Sequence, residues 1–199
     1  MCEGALGAAH PNTLTSVDNL AGLYSSQGRY AEAEPLFQRV LCEWERVLGA
    51  AHPDTLTSVN NLAGLYSSQG HYAKAEPLFQ RVLRERERAL GAAHPDTLTS
   101  VNNLANLYLS QGRYVEAEPL FQRALGEREQ VLGAAHPDTL RSVNNLAGLY
   151  LSQGRYVEAE PLFRHAVDGL RIVLGEAHPY FKIVAENHER CLAQLRNRG

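Results

Sequence analysis

The amino-acid sequence predicts an all-α fold, a solenoid of antiparallel helix pairs stacked one on the next. Three observations predict it. The chain repeats every 42 residues: His-Pro-Asp-Thr begins at His52, His94 and His136, with His10-Pro11-Asn12-Thr13 before and His178-Pro179-Tyr180-Phe181 after. Each unit carries two apolar stripes at three- and four-residue steps, and a Gly follows each stripe. A fixed period of roughly 20–50 residues marks arrays whose stacked units share one core. The reading is one array over residues 1–199, with repeats at about 10–51, 52–93, 94–135 and 136–177, a capping helix at 178–199, and about nine helices.

The first helix of a unit, helix A, is set by Leu56, Val59, Leu62, Ala63, Leu65 and Tyr66 in the second repeat. One face of an amphipathic helix needs this spacing. His52 stands at the cap, Pro53 at the first helical position where its missing N–H is harmless, and Asp54 beside the positive end of the dipole. Gly70 closes the helix, because Gly tolerates the left-handed conformation. Tyr72, Ala75, Leu78, Phe79, Val82, Leu83 and Leu90 then set helix B, closed by Gly91. Pro77 falls just past its first turn, which predicts a mild bend near Ala73 and no break, as at Pro35, Pro119 and Pro161.

One such pair cannot cover its own apolar stripe, so stacking supplies the core. The last unit has Glu186-Asn187-His188-Glu189 where the others have Asn-Asn-Leu-Ala, which reads as a cap with one wet face. Residues 4–9 match the linker that follows a helix B. The chain is therefore expected to begin in mid-array, with a first helix A whose bare face offers a route to end-to-end self-association.

Composition narrows the function. An apolar share of 44% with 21% charged residues is that of an ordinary globular protein, and a net charge of -3 leaves no electrostatic footprint for nucleic acid or an acidic membrane. No run approaches the roughly 20 apolar residues that span a bilayer, and no signal peptide is evident, so the expected location is cytoplasmic. Cys2, Cys42 and Cys191 sit at unrelated places in the repeat and read as free thiols.

Asn61-Leu62-Ala63, Tyr66, Gln69-Gly70, Tyr72, Ala75, Phe79 and Val82 resemble the tetratricopeptide repeat (TPR) in order and spacing, four times over nearly the whole chain. The 42-residue length and the phrases LG-x-x-HPD, NNLA-x-LY and AEPLFQRAL are similar to the repeats of kinesin light chains. The resemblance implies a right-handed TPR superhelix whose A helices line a concave groove for an extended peptide segment of a partner protein. No cofactor is expected, and the light chain's heptad segment is absent.

Candidate binding residues lie opposite the apolar stripe of helix A. Two adjacent Asn in a helix interior are poor by propensity, so tertiary interactions must favour them. An amide has donors and an acceptor, which suits the backbone of an extended peptide. Asp18, Asn60, Asn102 and Asn144 lie toward the middle of the polar face and are assigned to ligand. Asn61, Asn103 and Asn145, with Asn19, stand beside the core Leu and suit either ligand or a neighbouring repeat. Gly22, Gly64 and Gly148 imply close approach of a ligand backbone or of a helix, with Asn106 replacing Gly in the third repeat. Arg141 replaces the Thr of Thr15, Thr57 and Thr99. With Lys and Arg scarce on the A helices, a neutral or mixed peptide is as well matched as an acidic one.

Other residues read as structural. The five His in register are caps, too far apart across packed helices to share a metal ion. Arg29, His71, Arg113 and Arg155 are placed near the groove rim. Tyr24, Tyr66, Tyr108 and Tyr150 are assigned to packing. Trp44 and its equivalents Arg86, Arg128 and Leu170 are assigned to the solvated outer part of helix B, where a lone Trp44 would cover a missing repeat or join a self-contact. No nucleophile–base set, phosphate loop or paired carboxylate has a plausible context, so no enzyme is expected. The rival functions are a structural spacer or self-assembly platform contacting through its ends, and a regulatory array of a larger enzyme or switch protein.

Overall fold

A computed structural model of the chain describes Gly7 and residues 10–197. Among these residues it contains nine α-helices and no strand. They are α1 (Pro11–Ser26), α2 (Tyr30–Leu48), α3 (Pro53–Ser68), α4 (Tyr72–Leu90), α5 (Pro95–Ser110), α6 (Tyr114–Leu132), α7 (Pro137–Ser152), α8 (Tyr156–Leu174) and α9 (Pro179–Arg196). Odd-numbered helices are of type A and even-numbered ones of type B. The chain divides into two compact units at the end of α4, between Ala89 and Leu90. The thiol of Cys2, the linker at residues 4–9 apart from Gly7, and the end of the expected cap at 198–199 fall outside the described residues.

Local chemistry sets the helix ends. Every A helix begins at its Pro, and the preceding His side chain accepts from the backbone N–H two residues on: Nδ1 of His52 from Asp54 at 3.2 Å, of His136 from Asp138 at 3.1 Å, and of His178 from Tyr180 at 3.1 Å. This satisfies one of the donors a helix start leaves orphaned. After α3 the turn at Gly70 takes φ +74°, which a side chain would resist. The B helices run unbroken through Pro35, Pro77, Pro119 and Pro161.

In the first unit, α2 packs against both α1 and α3. Leu14, Val40 and Trp44 form one buried cluster, and Leu56, Val59 and Val82 another. Trp44 is only 6% exposed, which corrects its assignment to a solvated surface. The pair is antiparallel, so the last turns of the 19-residue α2 lie over the first turns of the 16-residue α1. Ala33, Phe37, Val40 and Trp44 accordingly make one buried stripe at steps of four, three and four. Tyr66 is buried too; its hydroxyl donates to Glu34 at 3.0 Å and accepts from Gln38 at 3.1 Å, tying α3 to α2. Leu20 and Leu23 of α1 are 41% and 52% exposed, whereas their α3 equivalents Leu62 and Leu65, covered by α2, are 5% and 2%.

The second unit repeats this plan from α5 to α9. Phe121, Leu140, Phe163 and Leu170 are fully buried. Tyr150 donates to Glu118 at 3.1 Å, as Tyr66 does to Glu34. Gly169 stands where the other repeats have Glu, and a Cβ there would lie 2.7 Å from the methyls of Leu140, so α8 meets α7 at close range. In α9 the replacements meet different surroundings. Glu189, equivalent to the buried Ala147, is exposed as a wet cap face requires. His188 is instead half-buried, 3.5 Å from Glu160 across to α8, so that position remains part of the packing. Cys42 and Cys191 are free thiols.

Candidate functional site

Within each unit the Asn pairs of the A helices bond neighbouring A helices into a ladder. In the first unit Asn61 Nδ2 donates to Asp18 Oδ2 at 2.8 Å. In the second, Asn145 Nδ2 donates to Asn102 Oδ1 at 3.2 Å and Asn187 Nδ2 to Asn144 Oδ1 at 3.3 Å. Here is the tertiary interaction that sets aside their poor helix propensity. Asn102 also donates to the Leu98 carbonyl at 3.0 Å, and Asn102 and Asn144 are 6% and 9% exposed. Asp18, Asn102 and Asn144, assigned to ligand by their place on the polar face, are thus ladder acceptors as well, and each lines a cavity of its unit. Asn60 and Asn103 are half-buried, and Asn106 is exposed.

Ladder and small residues leave hollows along the A-helix face. In the first unit a cavity of about 510 Å³ is lined by Asp18, Asn19, Gly22, Asn60, Asn61 and Gly64. Burial raises the Asp18 carboxyl pKa above its ordinary value, with the hydrogen bond from Asn61 acting against it. A Cβ built on Gly22, Gly64 or Gly148 meets nothing within 4 Å. No neighbouring helix therefore requires these glycines, which corrects that half of the expectation and leaves open space over the cavity side. The second unit has a cavity of about 220 Å³ that includes Asn106, Asn144, Asn145 and Gly148.

Nearer the start of the A helices in the second unit lies a cavity of about 330 Å³, lined by Asn102, Asn106, Arg128, Arg141, Asn145 and Tyr180 among others. Arg128 comes from the B helix α6 and is 2% exposed, which corrects its assignment to a solvated face. Its Nη1 donates to Ser142 Oγ at 2.8 Å and its Nη2 to Thr99 Oγ1 at 3.3 Å, so it reaches between α5 and α7. It occupies the stripe position of Trp44 and Leu170. Arg141 pairs with Asp138 at 2.9 Å. At the equivalent places Thr15, Thr57 and Thr99 donate back to the carbonyls of Pro11, Pro53 and Pro95, and Thr99 also accepts from Arg128.

The turn arginines have local partners. Arg113 and Arg155 stack over the rings of Tyr108 and Tyr150, 4.2 and 4.0 Å from the centroids, and pair with Glu116 and Glu158 at 2.9 and 2.6 Å. Arg29 does likewise with Tyr24, at 4.1 Å, and with Glu32. These contacts pin the starts of the B helices.

The repeated A–B pair, the Asn ladder and the buried Tyr–Glu ties define an α-helical repeat protein, and comparison supplies its family. The Tetratricopeptide repeat model matches residues 12–88, 72–126 and 96–172, and the chain belongs to that family. Such repeats are scaffolds for protein–protein interaction and not typically enzymes. The chain is similar in structure to the nearly identical TPR-like repeats assigned to a kinesin light chain of Podosopora anserina, with 28% identity and a TM-score of 0.76 over 95% of this chain and 90% of that one. It is also similar to BtubC (BKLC) from P. vanneervenii, at 25% identity and a TM-score of 0.70, covering 84% of this chain and 66% of that one. No curated protein sequence matches it. No described helix is long and apolar enough to cross a membrane.

Proposed function

We propose that the A-helix face binds an extended peptide segment of a partner protein, and that the chain serves as a cytoplasmic adaptor in the manner of its kinesin light chain-like relatives. The observation that carries this reading is that each unit has a cavity on its A-helix face, lined by amides and by helix-interior glycines with open space above them. Each such glycine costs its helix about 1 kcal/mol relative to Ala, and packing does not require it. Asp18, Asn60, Asn61 and Gly64 would meet the peptide in the first unit, and Asn102, Asn103, Asn106, Asn144, Asn145 and Arg141 in the second. Selection from an unbiased displayed library of twelve-residue peptides tests it. Binders should emerge whose affinity falls at least tenfold when Gly64 or Asn106 is replaced by Trp, which fills the face without touching the core. Binders indifferent to both changes would overturn the assignment.

A second reading, self-assembly through an end, is favoured by Leu20 and Leu23 on α1. It predicts sedimentation coefficients that grow with concentration and cease to grow in the Leu20→Gln/Leu23→Gln variant. Constant coefficients at all concentrations would remove it.

A further inference from the structure

The first unit carries a carboxyl that its fold does not require. Asp18 stands where α3, α5 and α7 have Asn60, Asn102 and Asn144. In the second unit the amide oxygens of Asn102 and Asn144 accept from Asn145 and Asn187, so an amide serves the ladder as well as a carboxylate does. Asp18 Oδ2 accepts from Asn61 at 2.8 Å, while Oδ1 is buried and accepts no hydrogen bond. Burial raises the pKa of this carboxyl, and a carboxylate shielded from water without a cation beside it is costly.

Asp18 lines a cavity of about 230 Å³ together with Trp44, Asp54, Thr15 and Thr57. The described residues around it include two carboxyls and neither Lys nor Arg. In the second unit Arg141 engages Asp138 at 2.9 Å; the first unit has Thr57 at that place, and beside Asp54 stands the His52 imidazole, 3.6 Å away and charged only when protonated. Trp44 is fixed by its packing with Leu14 and Val40, and the π system of an indole attracts a cation. The cavity meets the larger hollow of the first unit at Asp18, which lines both.

We propose that this cavity is a cation subsite, in which the carboxylates of Asp18 and Asp54 and the indole of Trp44 receive the ammonium or guanidinium of one basic residue of a bound peptide. The proposal rests on the reading of the A-helix face as a peptide groove. The ligand's cation supplies the counter-charge that Asp18 lacks in the free chain. A hydrogen bond from a cation to a carboxylate is roughly twice as strong as one between neutral groups, so a single basic residue would fix where the peptide lies in the first unit.

The test takes, from the same unbiased library, peptides that bind the wild-type chain and are blocked by Gly64→Trp. They should share a Lys or Arg, and changing that residue to Gln should weaken binding about tenfold or more, the usual worth of a hydrogen bond to a charged group. If the cation is instead the peptide's own amino terminus, acetylation of the terminus should produce the loss. Asp18→Asn copies Asn102, keeps an acceptor for Asn61 and should fold with an unfolding temperature at pH 7 no lower than wild type. It should abolish the difference between the basic peptide and its neutral copy. Trp44 is the one tryptophan of the chain, so its emission reads the cavity directly and should change at saturation with the basic peptide. Full affinity after both peptide changes, a difference that survives Asp18→Asn, or emission unchanged at saturation would overturn the subsite. The groove itself stands in those cases, because Gly64→Trp still blocks the binders. If Gly64→Trp blocks none, the subsite falls, and the groove falls with it when Asn106→Trp is also without effect.

Discussion

At the scale of single residues, a few positions carry measurable consequences. Asp18 holds the place of Asn102 and Asn144, and burial raises its pKa above the ordinary 3.8. A carboxyl whose folded pKa is raised favours the folded state only while protonated, so its contribution is lost as pH rises from about the unfolded value through the folded one. Asp18→Asn keeps an acceptor for Asn61 and should raise the unfolding temperature at pH 7, with the gain shrinking to nothing below about pH 4. A gain independent of pH would remove the ionisation account. His94→Ala should cost about 1 kcal/mol in denaturant unfolding, the usual worth of an N-cap, since Nδ1 accepts from Asp96 N at 3.2 Å; no loss would mean that the cap is idle. Gly64→Ala should stabilise by about 1 kcal/mol, there being nothing within 4 Å of the new methyl. The His caps, the Pro starts and the Gly stops were legible because each rests on backbone chemistry within a few residues.

At the scale of helices, burial depends on which neighbour an element has. Leu20 and Leu62 are equivalent in sequence, but α2 covers only the second, so exposure falls from 41% to 5%. Leu62→Ala should therefore cost about 2–5 kcal/mol in chemical unfolding and Leu20→Ala well under 1 kcal/mol; equal costs would show that α1 is covered in solution. The B helices show where sequence reading stops short. Ala33, Phe37, Val40 and Trp44 continue a single stripe, and in the second unit Ala117, Phe121, Ala124 and Arg128 do the same. Charge at position 128 suggests solvent, while the period suggests burial; the period is right because an antiparallel pair brings the end of helix B over the start of helix A. The Asn pairs were legible as a tertiary feature, but the direction of their bonds was not, since donor and acceptor stand 43 residues apart.

At the scale of the whole chain, a repeat of 42 residues provides the same helix pair again and again, and the exceptions to it make places for function. Asp18, Asn106 and Arg141 depart from their repeat-mates, and each lines a cavity on the A-helix face of its own unit. The family and the helix-pair architecture were open to sequence reading because they depend on the period and on apolar and Gly positions repeated within it. Arg128 was not, because its approach to Ser142 and Thr99 joins residues of three helices. The central claim is that this face holds an extended peptide. It is tested most directly by recording the amide spectrum of the isotopically labelled chain with and without the best library-selected peptide. The account predicts shifts in the side-chain amide signals of Asn102, Asn106, Asn144 and Asn145. Shifts confined to the outward B-helix residues Val115 and Val157, which are 85% and 78% exposed, would contradict it.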